Sequence, residues 1–364
     1  MNEVIHVFGP VTSLLLWRAG MQGFIEAPYH EPAHPDLSRA RASVRALKRL
    51  DCVQLLGDIP LDTIVSDAKH SYACKSMDTI VLKGALPPGS FHAMGDGSYV
   101  CSPALCFALL ARGGATSHLL EIGCELCGTY AMLFRQDGQF CNCIKLTSAD
   151  YIKSYLEQLG RRHGIQTARK AAQSITDASD SPRETSLFLA LTQPDSKGGY
   201  SFWWPELNAK LELSARSQMA LHKSYLRVDQ LYTNKKGDPL AVGEYDSNEC
   251  HLYIPTQRNG QIVDVMKIIS DDERREVIRD EGIDVVTVRT EDTRDFERFD
   301  AKAMRLGRLI GIEPHPSTGR LATLRKNLML ELFDTRKWES EYEALRRMAG
   351  YERAITHPKA RVGA

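Results

Sequence analysis

The sequence lacks a net charge, a long apolar run and an export signal, and each absence restricts the classes of protein it can belong to. Its 46 basic residues balance its 46 acidic residues, so attraction to nucleic acid or to a membrane must be local. The apolar stretch at its start contains His6, Gly9, Pro10 and Ser13, and it is shorter than the roughly 20 residues that a membrane span needs. No basic-then-apolar signal precedes that stretch. We therefore expect a cytoplasmic protein without a membrane partner.

The nine cysteines are an odd number, and without an export signal they favour reduced thiols over a disulfide framework. Cys124 and Cys127, followed by Cys141 and Cys143, form two closely spaced pairs that would suit one structural zinc ion. However, the sequence from 116 to 130 predicts a helix with Cys124 and Cys127 one turn apart on a buried face, where cysteine acts as a small apolar residue. Both interpretations stay open at this stage.

The length and the 43% apolar content predict about two domains, and the pattern along the chain divides it further. Short β-like runs and helices predict a smaller α/β or α+β domain over 1–147, followed by a helical connector over 148–180. An alternation of helices and β-branched strands over 181–312 predicts an α/β domain with a mixed sheet. The last segment, 313–364, is basic and helical.

Local signals mark the ends of two helices within these domains. Ser102 followed by Pro103 predicts the start of one helix. Ser270, followed by acids, predicts the start of another helix, which should end at Gly282.

Two β-like runs flank the turn-forming residues 234–239, the sequence pattern of a β-hairpin. A turn centred between Lys236 and Gly237 pairs Asp229 with Glu244, with Cβ atoms about 5 Å apart. Asp246 lies two residues after Glu244 and therefore on the same side of its strand. The hairpin thus predicts three carboxylates on one face.

Three buried carboxylates without a lysine or arginine between them repel one another strongly unless a divalent cation lies among them. Oxygen ligands favour Mg²⁺ or Mn²⁺, which serve phosphodiester hydrolysis by activating water and neutralising developing charge. The alternative is an acidic strand end exposed to solvent. The hairpin alone does not decide between them.

Two neighbours of the acids also have alternative interpretations. Glu184 follows Ser181 by three residues with Pro182 between them, which is the pattern of a capping box, but its carboxylate would also complete the surroundings of an ion. His251 lies just beyond the acidic strand, where it is either a surface histidine or a group that transfers protons near neutral pH.

The order of these features resembles the Vsr-like branch of the PD-(D/E)XK nuclease superfamily over about 180–312. The resemblance consists of Glu184 on a helix, Asp229 on one strand, "EYD" on the next with His251 after it, and then "DDERREVIRDEGIDVVTVRT". It implies a restriction-endonuclease-like mixed β-sheet core flanked by helices, with Asp229 and Glu244 as Mg²⁺ or Mn²⁺ ligands. By the same resemblance, Asp246 and His251 are further ligands or neighbours of the ion. The usual motif lysine is replaced by Asp246, which leaves the general base unassigned.

Four further residues are candidates for contact with nucleic acid. Arg274 and Arg275 lie on the helix after the acidic strand and would contact phosphate or simply face solvent. Trp203 and Trp204 lie in a glycine-rich loop and would stack on bases or pack on the core.

In the first half of the chain, "GDGSYVCSPALCFALLAR" is similar to a segment of AbiEi-like antitoxin proteins, which implies a role in positioning or in binding a protein partner. The sequence therefore predicts a Mg²⁺-dependent nuclease that cuts nucleic acid, most simply DNA, in bacterial defence or a toxin-antitoxin system. The alternative is a catalytically inactive, antitoxin-like regulator that binds DNA or protein.

Overall fold

The structure is a computed structural model, and the residues it describes fall into two compact units. One unit comprises Met1–Asp177 with Thr335–Ala364, and the other comprises Ala178–Asp334. The residues described are 4–24, 32–72, 74–95, 97–114, 116–133, 139–246, 253–255, 261–263, 265–334 and 341–351.

The first unit contains small sheets and mostly short helices. Its strands are β1 (His6–Val7), β2 (Pro32–Ala33), β3 (Leu61–Val65), β4 (Met77–Val81), β5 (Phe91–Gly95), β6 (Ser98–Cys101), β7 (Tyr130–Met132) and β8 (Phe140–Asn142). Its helices are α1 (Pro10–Met21), α2 (Val44–Leu47), α3 (Asp51–Gln54), α4 (Pro103–Leu110), α5 (Ser117–Cys127), α6 (Ala149–Gln158) and α7 (Ile165–Ala172). Short 3₁₀ turns lie at Leu37–Arg39, Ala68–His70 and Ala111–Gly113.

The described strands of this unit form a mixed sheet in the order β1-β6-β5-β2 and the pairs β3-β4 and β7-β8. Helix α4 begins as its sequence predicts, because the Ser102 side chain accepts a hydrogen bond from Leu105 N–H and Pro103 occupies the first turn. Every residue of α4 is buried, so this helix lies in the centre of the unit. Among the described residues, none of the helices has both the length and the hydropathy that a bilayer crossing requires.

The units divide the chain at other positions than the sequence pattern suggests. The proposed connector contains α6 and α7, which belong to the first unit because Ile152, Tyr155 and Leu156 are buried and Tyr155 Oη lies 2.6 Å from Ser90 Oγ. The proposed C-terminal tail is also divided. Its last described helix returns to the first unit, where Arg346 Nη2 lies 2.8 Å from Asp78 Oδ2.

The second unit alternates helices with longer strands. Its strands are β9 (Glu206–Glu212), β10 (Tyr225–Thr233), β11 (Pro239–Asp246), β12 (Tyr253–Pro255), β13 (Gln261–Val263) and β14 (Asp284–Arg289). Its helices are α8 (Pro182–Thr192), α9 (Ala215–Leu221), α10 (Val265–Asp280), α11 (Phe296–Leu309) and α12 (Gly319–Phe333), with 3₁₀ turns at Asp195–Lys197 and Asp292–Arg294. The helix that returns to the first unit is α13 (Glu341–Met348).

The main sheet of the second unit is mixed, as the alternation of helices and strands predicts. Its described strands lie in the order β14-β11-β10-β9, with β9, β10 and β11 antiparallel and β14 parallel to β11. Helix α10 makes the crossover that a parallel pair requires. Strands β10 and β11 are therefore the two central strands of the sheet.

Helices cover both faces of this sheet. Val242 of β11 belongs to a buried cluster that includes Ile278 of α10. The next residue, Gly243, faces the other way, toward the Leu306 side chain of α11. On the α11 side, the rings of Tyr245 and Phe333 stack with centroids 6.0 Å apart. The sheet therefore has a buried core on each face.

The predicted β-hairpin register is confirmed for Gln230 to Tyr232, whereas a bulge beside the turn pairs Thr233 with Pro239. Gln230 pairs with Gly243, Leu231 with Val242 and Tyr232 with Ala241. The turn forms because the Asn234 side chain accepts hydrogen bonds from the N–H groups of Lys236 and Asp238. Gly237 has a φ of +87°, a conformation that glycine adopts without strain.

The predicted start of α10 at a capping Ser270 is wrong. The helix already begins at Val265, so Ser270 lies inside it, because the apolar residues before the serine continue the helix rather than precede it. The predicted end is right: Gly282, with a φ of +78°, donates its N–H to the Arg279 carbonyl after the helix ends. Helix α10 brings Arg274 and Arg275 beside the acids of β10 and β11.

Candidate functional site

A polar pocket of about 170 Å³ lies beside the middle of β10 and the last residues of β11, the two central strands of the second unit. Most of its lining side chains are charged. They come from strands β10 and β11 and from helix α10: Asp229, Glu244, Tyr245, Asp246, Asp271, Arg274 and Arg275. The pocket therefore contains the three predicted strand acids and both predicted arginines. Continuing the hairpin register places Asp229 beside Glu244.

Asp229 carries the strongest electrostatic perturbation in the pocket. Burial raises the pKa of its carboxyl group well above the ordinary range, and the nearby charges of Glu184 and Glu244 raise it further. The backbone N–H of Tyr245 donates a 2.8 Å hydrogen bond to its Oδ2 atom, which fixes the side chain toward β11. Asp229 is thus a partly buried acid that retains a proton more readily than an exposed aspartate.

Glu244 is buried, and its partners overturn one expectation. The sequence predicted acids with no arginine between them, but Nη2 of Arg274 lies 2.6 Å from Glu244 Oε1 and Nε of Arg275 lies 4.0 Å from its Oε2. Burial raises the pKa of Glu244, and the two arginines oppose that rise. That expectation was wrong because α10 packs against the sheet. This packing places Arg274 and Arg275, about thirty positions after Glu244, beside the acids.

The ion pair between Arg274 and Glu244 is close but geometrically imperfect. The two atoms lie at hydrogen-bonding distance, yet Oε1 of Glu244 is a buried oxygen that no described donor reaches with hydrogen-bond angles. The same Nη2 atom of Arg274 donates a 2.5 Å hydrogen bond to the carbonyl oxygen of Arg227. The Arg274 guanidinium is thus held by its charge beside Glu244 and by its hydrogen bond to the Arg227 carbonyl.

Asp246 lies on the same side of β11 as Glu244, as the strand alternation predicts. Arg275 approaches both acids and donates from Nη2 to Asp246 Oδ2 at 2.8 Å. It also donates from Nη1 to Asp272 at 2.9 Å, and Arg289 lies 3.4 Å from Asp246. Burial lowers the pKa of Arg275, but Asp246 and Glu244 produce a net rise, so it remains charged.

Glu184 belongs to the same acidic cluster although it lies on α8. The predicted cap is present, since Ser181 accepts a hydrogen bond from the Glu184 N–H, while Glu184 Oε2 accepts one from the Asp180 N–H. Burial raises the pKa of Glu184, and a 2.7 Å hydrogen bond from Asn208 opposes the rise. The negative charge of Glu184 raises the pKa of Asp229. Glu184 therefore both caps the start of α8 and contributes to the acidic cluster.

Asn208 is a site residue that the sequence did not reveal. It lies inside β9 with a φ of +50°, in the left-handed region that asparagine tolerates better than most residues. Its Nδ2 group donates hydrogen bonds to Ala178 O at 2.8 Å and to Glu184 Oε2 at 2.7 Å. No sequence pattern marks such a residue, because the strained backbone is imposed by neighbouring strands and helices.

The remaining predicted site residues lie away from these contacts or outside the described residues. His251 is outside the described residues. Trp203 and Trp204 are about half exposed, and the Trp204 ring also packs edge-on against Phe188 at 5.4 Å. The loop thus presents aromatic surface and uses part of it for packing.

The four cysteines of the possible zinc site lie in the first unit. Cys124 and Cys127 are buried in α5, and burial raises the pKa of the Cys124 thiol to about 12. Cys141 and Cys143 are partly exposed on or beside β8. Among the described residues, no group of three or more His, Cys, Asp or Glu side chains has an arrangement that would hold a metal ion.

The acids of the second unit offer a smaller ligand set of a different kind. Magnesium commonly binds to one or two carboxylates and completes its coordination with waters and substrate phosphates. Asp229 and Glu244 provide one partly buried and one buried carboxyl group, and the buried Oε1 atom of Glu244 has no well-formed hydrogen bond. These hard oxygen donors therefore fit such an ion, provided that Arg274 gives up its contact with Oε1.

No family model matches the chain, and neither the curated proteins nor the solved structures include a match.

Proposed function

We propose that the unit Ala178–Asp334 is a nucleic-acid phosphodiesterase that uses Mg²⁺ or Mn²⁺, of the restriction-endonuclease-like type and its Vsr-like branch. One observation carries this proposal: the buried Glu244 and the partly buried Asp229, on the two central strands of a mixed sheet, line one charged pocket. Buried acids in like-charged groups are costly, and they occur most often where a protein uses them.

The arrangement of the elements supports the same proposal. Helix α8 comes first, three antiparallel strands follow, and α10 leads to a fourth strand parallel to the third. The sequence resemblance implies a mixed sheet flanked by helices, with the carboxylates on a strand pair. The acids at 184, 229 and 244 lie on α8, β10 and β11, and this order supports the proposal.

Each acid would have a separate task in such a site. Asp229 and Glu244 would hold the ion, which supplies activation of water and neutralisation of charge on the phosphate. Arg275 holds Asp246 in place by a 2.8 Å hydrogen bond, and Asn208 holds Glu184 by one of 2.7 Å. Asp246 stands where the usual motif of that superfamily has lysine, so proton transfer would fall to another group, and we propose His251 for it because histidine titrates near neutral pH.

Purified protein incubated with single- and double-stranded DNA and RNA tests the proposal. We expect strand scission in Mg²⁺ or Mn²⁺ and none in EDTA. Glu244→Gln and Asp229→Asn should each reduce the rate at least about a hundredfold, because each removes one of two charged ligands. Glu276→Gln is a matched control, since Glu276 is exposed on α10 and does not line the pocket. Scission that persists unchanged in both pocket variants contradicts the proposal.

A second candidate function is favoured by the contact between Arg274 and Glu244. The arginine at 2.6 Å neutralises Glu244 without any metal ion, as expected of a nuclease-like fold that has become a regulator. Such a regulator would bind DNA or a partner protein equally well with and without divalent ions, and it would cut no strand. The incubation described above distinguishes the two functions, because only the enzyme yields shortened products.

For the first unit we propose a positioning role, as its similarity to AbiEi-like antitoxin proteins implies. It would bind DNA or a protein partner and bring the second unit to its substrate. Removal of divalent ions should leave this binding unchanged, because the acidic pocket belongs to the other unit.

A further inference from the structure

The two arginines of the pocket are held very differently. Arg275 has a side chain only 10% exposed, and it donates hydrogen bonds to both Asp246 and Asp272. Arg274 is more exposed, at 27%, and its described contacts are the imperfect ion pair with Glu244 and one backbone carbonyl. Arg275 is therefore fixed in the wall of the pocket, whereas Arg274 would break weaker contacts by moving.

The position of Arg274 conflicts with the proposed ion. Magnesium and its close relatives bind carboxylate oxygens at about 2.0 to 2.1 Å. A guanidinium nitrogen 2.6 Å from Oε1 of Glu244 is in direct contact with the oxygen that such an ion would need. Two positive groups at one oxygen would also repel each other strongly in a buried site. An ion that binds Glu244 through Oε1 must therefore displace Arg274.

Displacement of Arg274 is feasible because its side chain reaches solvent through the pocket. The Arg274 side chain is partly exposed at the pocket, so its guanidinium can move toward solvent while the incoming ion compensates the charge of Glu244. Glu244 cannot follow it, since this residue is on a central strand and is only 4% exposed. The movable partner of this pair is thus the arginine.

We infer that Arg274 is an internal counter-cation: it occupies the ion-binding oxygen of Glu244 in the metal-free protein and leaves it when a divalent ion binds. This inference rests on the proposed function, and it adds a means of regulating metal loading. Each ion bound must replace an existing ion pair. Metal affinity is consequently lower than the two carboxylates alone would give.

The test measures Mn²⁺ binding directly, by the electron paramagnetic resonance of free Mn²⁺, and it needs no substrate. Arg274→Gln should bind Mn²⁺ about tenfold or more tightly than the wild type, the factor expected for loss of one competing charged contact. Adding Glu244→Gln to this variant should abolish the gain. Arg274→Lys, which keeps a shorter cation with fewer donors, should show a smaller gain, and it serves if the glutamine variant does not fold.

Arg289→Gln is the matched control, because Arg289 contacts Asp246 at 3.4 Å but has no described contact with Glu244. It removes the same charge from the same cluster, and we expect its Mn²⁺ affinity to change less than about threefold. An equal gain in this control overturns the inference, because a general charge effect would then explain both. Equal affinities of wild type and Arg274 variants, with loss in Glu244→Gln, overturn the inference but leave the proposed function. Absence of Mn²⁺ binding in every variant overturns both.

Discussion

The backbone N–H of Tyr245 donates a hydrogen bond of 2.8 Å to the Oδ2 atom of Asp229. This bond joins the two central strands where the acids meet, but it does not compensate for burial of the Asp229 charge. The pKa of Asp229 remains well above its ordinary range because burial and the charges of Glu184 and Glu244 outweigh the bond. Two neighbouring strands are thus held together through a carboxyl group that is costly to ionise.

Asp229→Asn should stabilise the metal-free protein at neutral pH. The folded protein holds the Asp229 proton to a higher pH than the unfolded chain, so ionisation costs stability as pH rises above about 3.9. Asparagine has no charge and can still accept the Tyr245 hydrogen bond. Thermal unfolding in EDTA should show a Tm about 2–4 °C higher than wild type at pH 7.5 and no difference near pH 4.

Glu212→Gln provides the comparison for this variant, because Glu212 is exposed on β9. Its Tm should stay within about 1 °C of the wild type at both pH values. A lower Tm for Asp229→Asn than for wild type at pH 7.5 would show that the ionised carboxylate is stabilising, and the prediction would be wrong.

Replacement of Asn208 separates its hydrogen bonds from its backbone conformation. Asn208→Ala loses both amide bonds and also places a less tolerant residue at a φ of +50°. Asn208→Gly loses the same bonds without the strain. Urea unfolding should show Asn208→Ala less stable than the wild type by about 2 kcal/mol, and Asn208→Gly less stable by about 1 kcal/mol. Equal losses would mean that the conformation carries no strain.

Arg325 and Asp195 should be energetically coupled. Arg325 is completely buried and donates a 2.8 Å bond to Asp195, while His315 contacts the other carboxylate oxygen of Asp195. Arg325→Met and Asp195→Asn should each destabilise the protein, and the double variant should lose about 1–2 kcal/mol less than the two single losses combined. A double-mutant cycle from urea unfolding measures this difference, and strictly additive losses would refute the coupling.

In the first unit, the two carboxylate partners of Arg18 should contribute different amounts to the free energy of unfolding. Arg18 donates two bonds to the buried Glu125, at 2.8 and 2.7 Å, and one to the more exposed Glu341 at 2.8 Å. Glu125→Gln should cost about 3 kcal/mol or more, because it removes one partner of a buried ion pair. Glu341→Gln should cost about 1 kcal/mol. Thermal and urea unfolding test the order, and a larger loss for Glu341→Gln would reverse it.

Local sequence signals predicted several elements correctly. Ser102 and Pro103 begin α4, Ser181 caps α8, and the residues from Asn234 to Pro239 make the turn between β10 and β11. These predictions succeed because caps and turns depend on a few neighbouring residues. The predicted helix start at Ser270 was wrong because a capping residue does not begin a helix that already runs through it from Val265.

The sequence by itself determined the hairpin register, and with it the meeting of Asp229 and Glu244 on adjacent strands. Only the tertiary structure decided which charged residues lie near them. Packing of α10 on the sheet places Arg274 and Arg275 beside the acids, and a hydrogen bond from Asn208 holds Glu184 near them. The physical reason is the range of each interaction. A turn specifies pairing over a few residues, whereas an ion pair between distant residues depends on how whole helices pack.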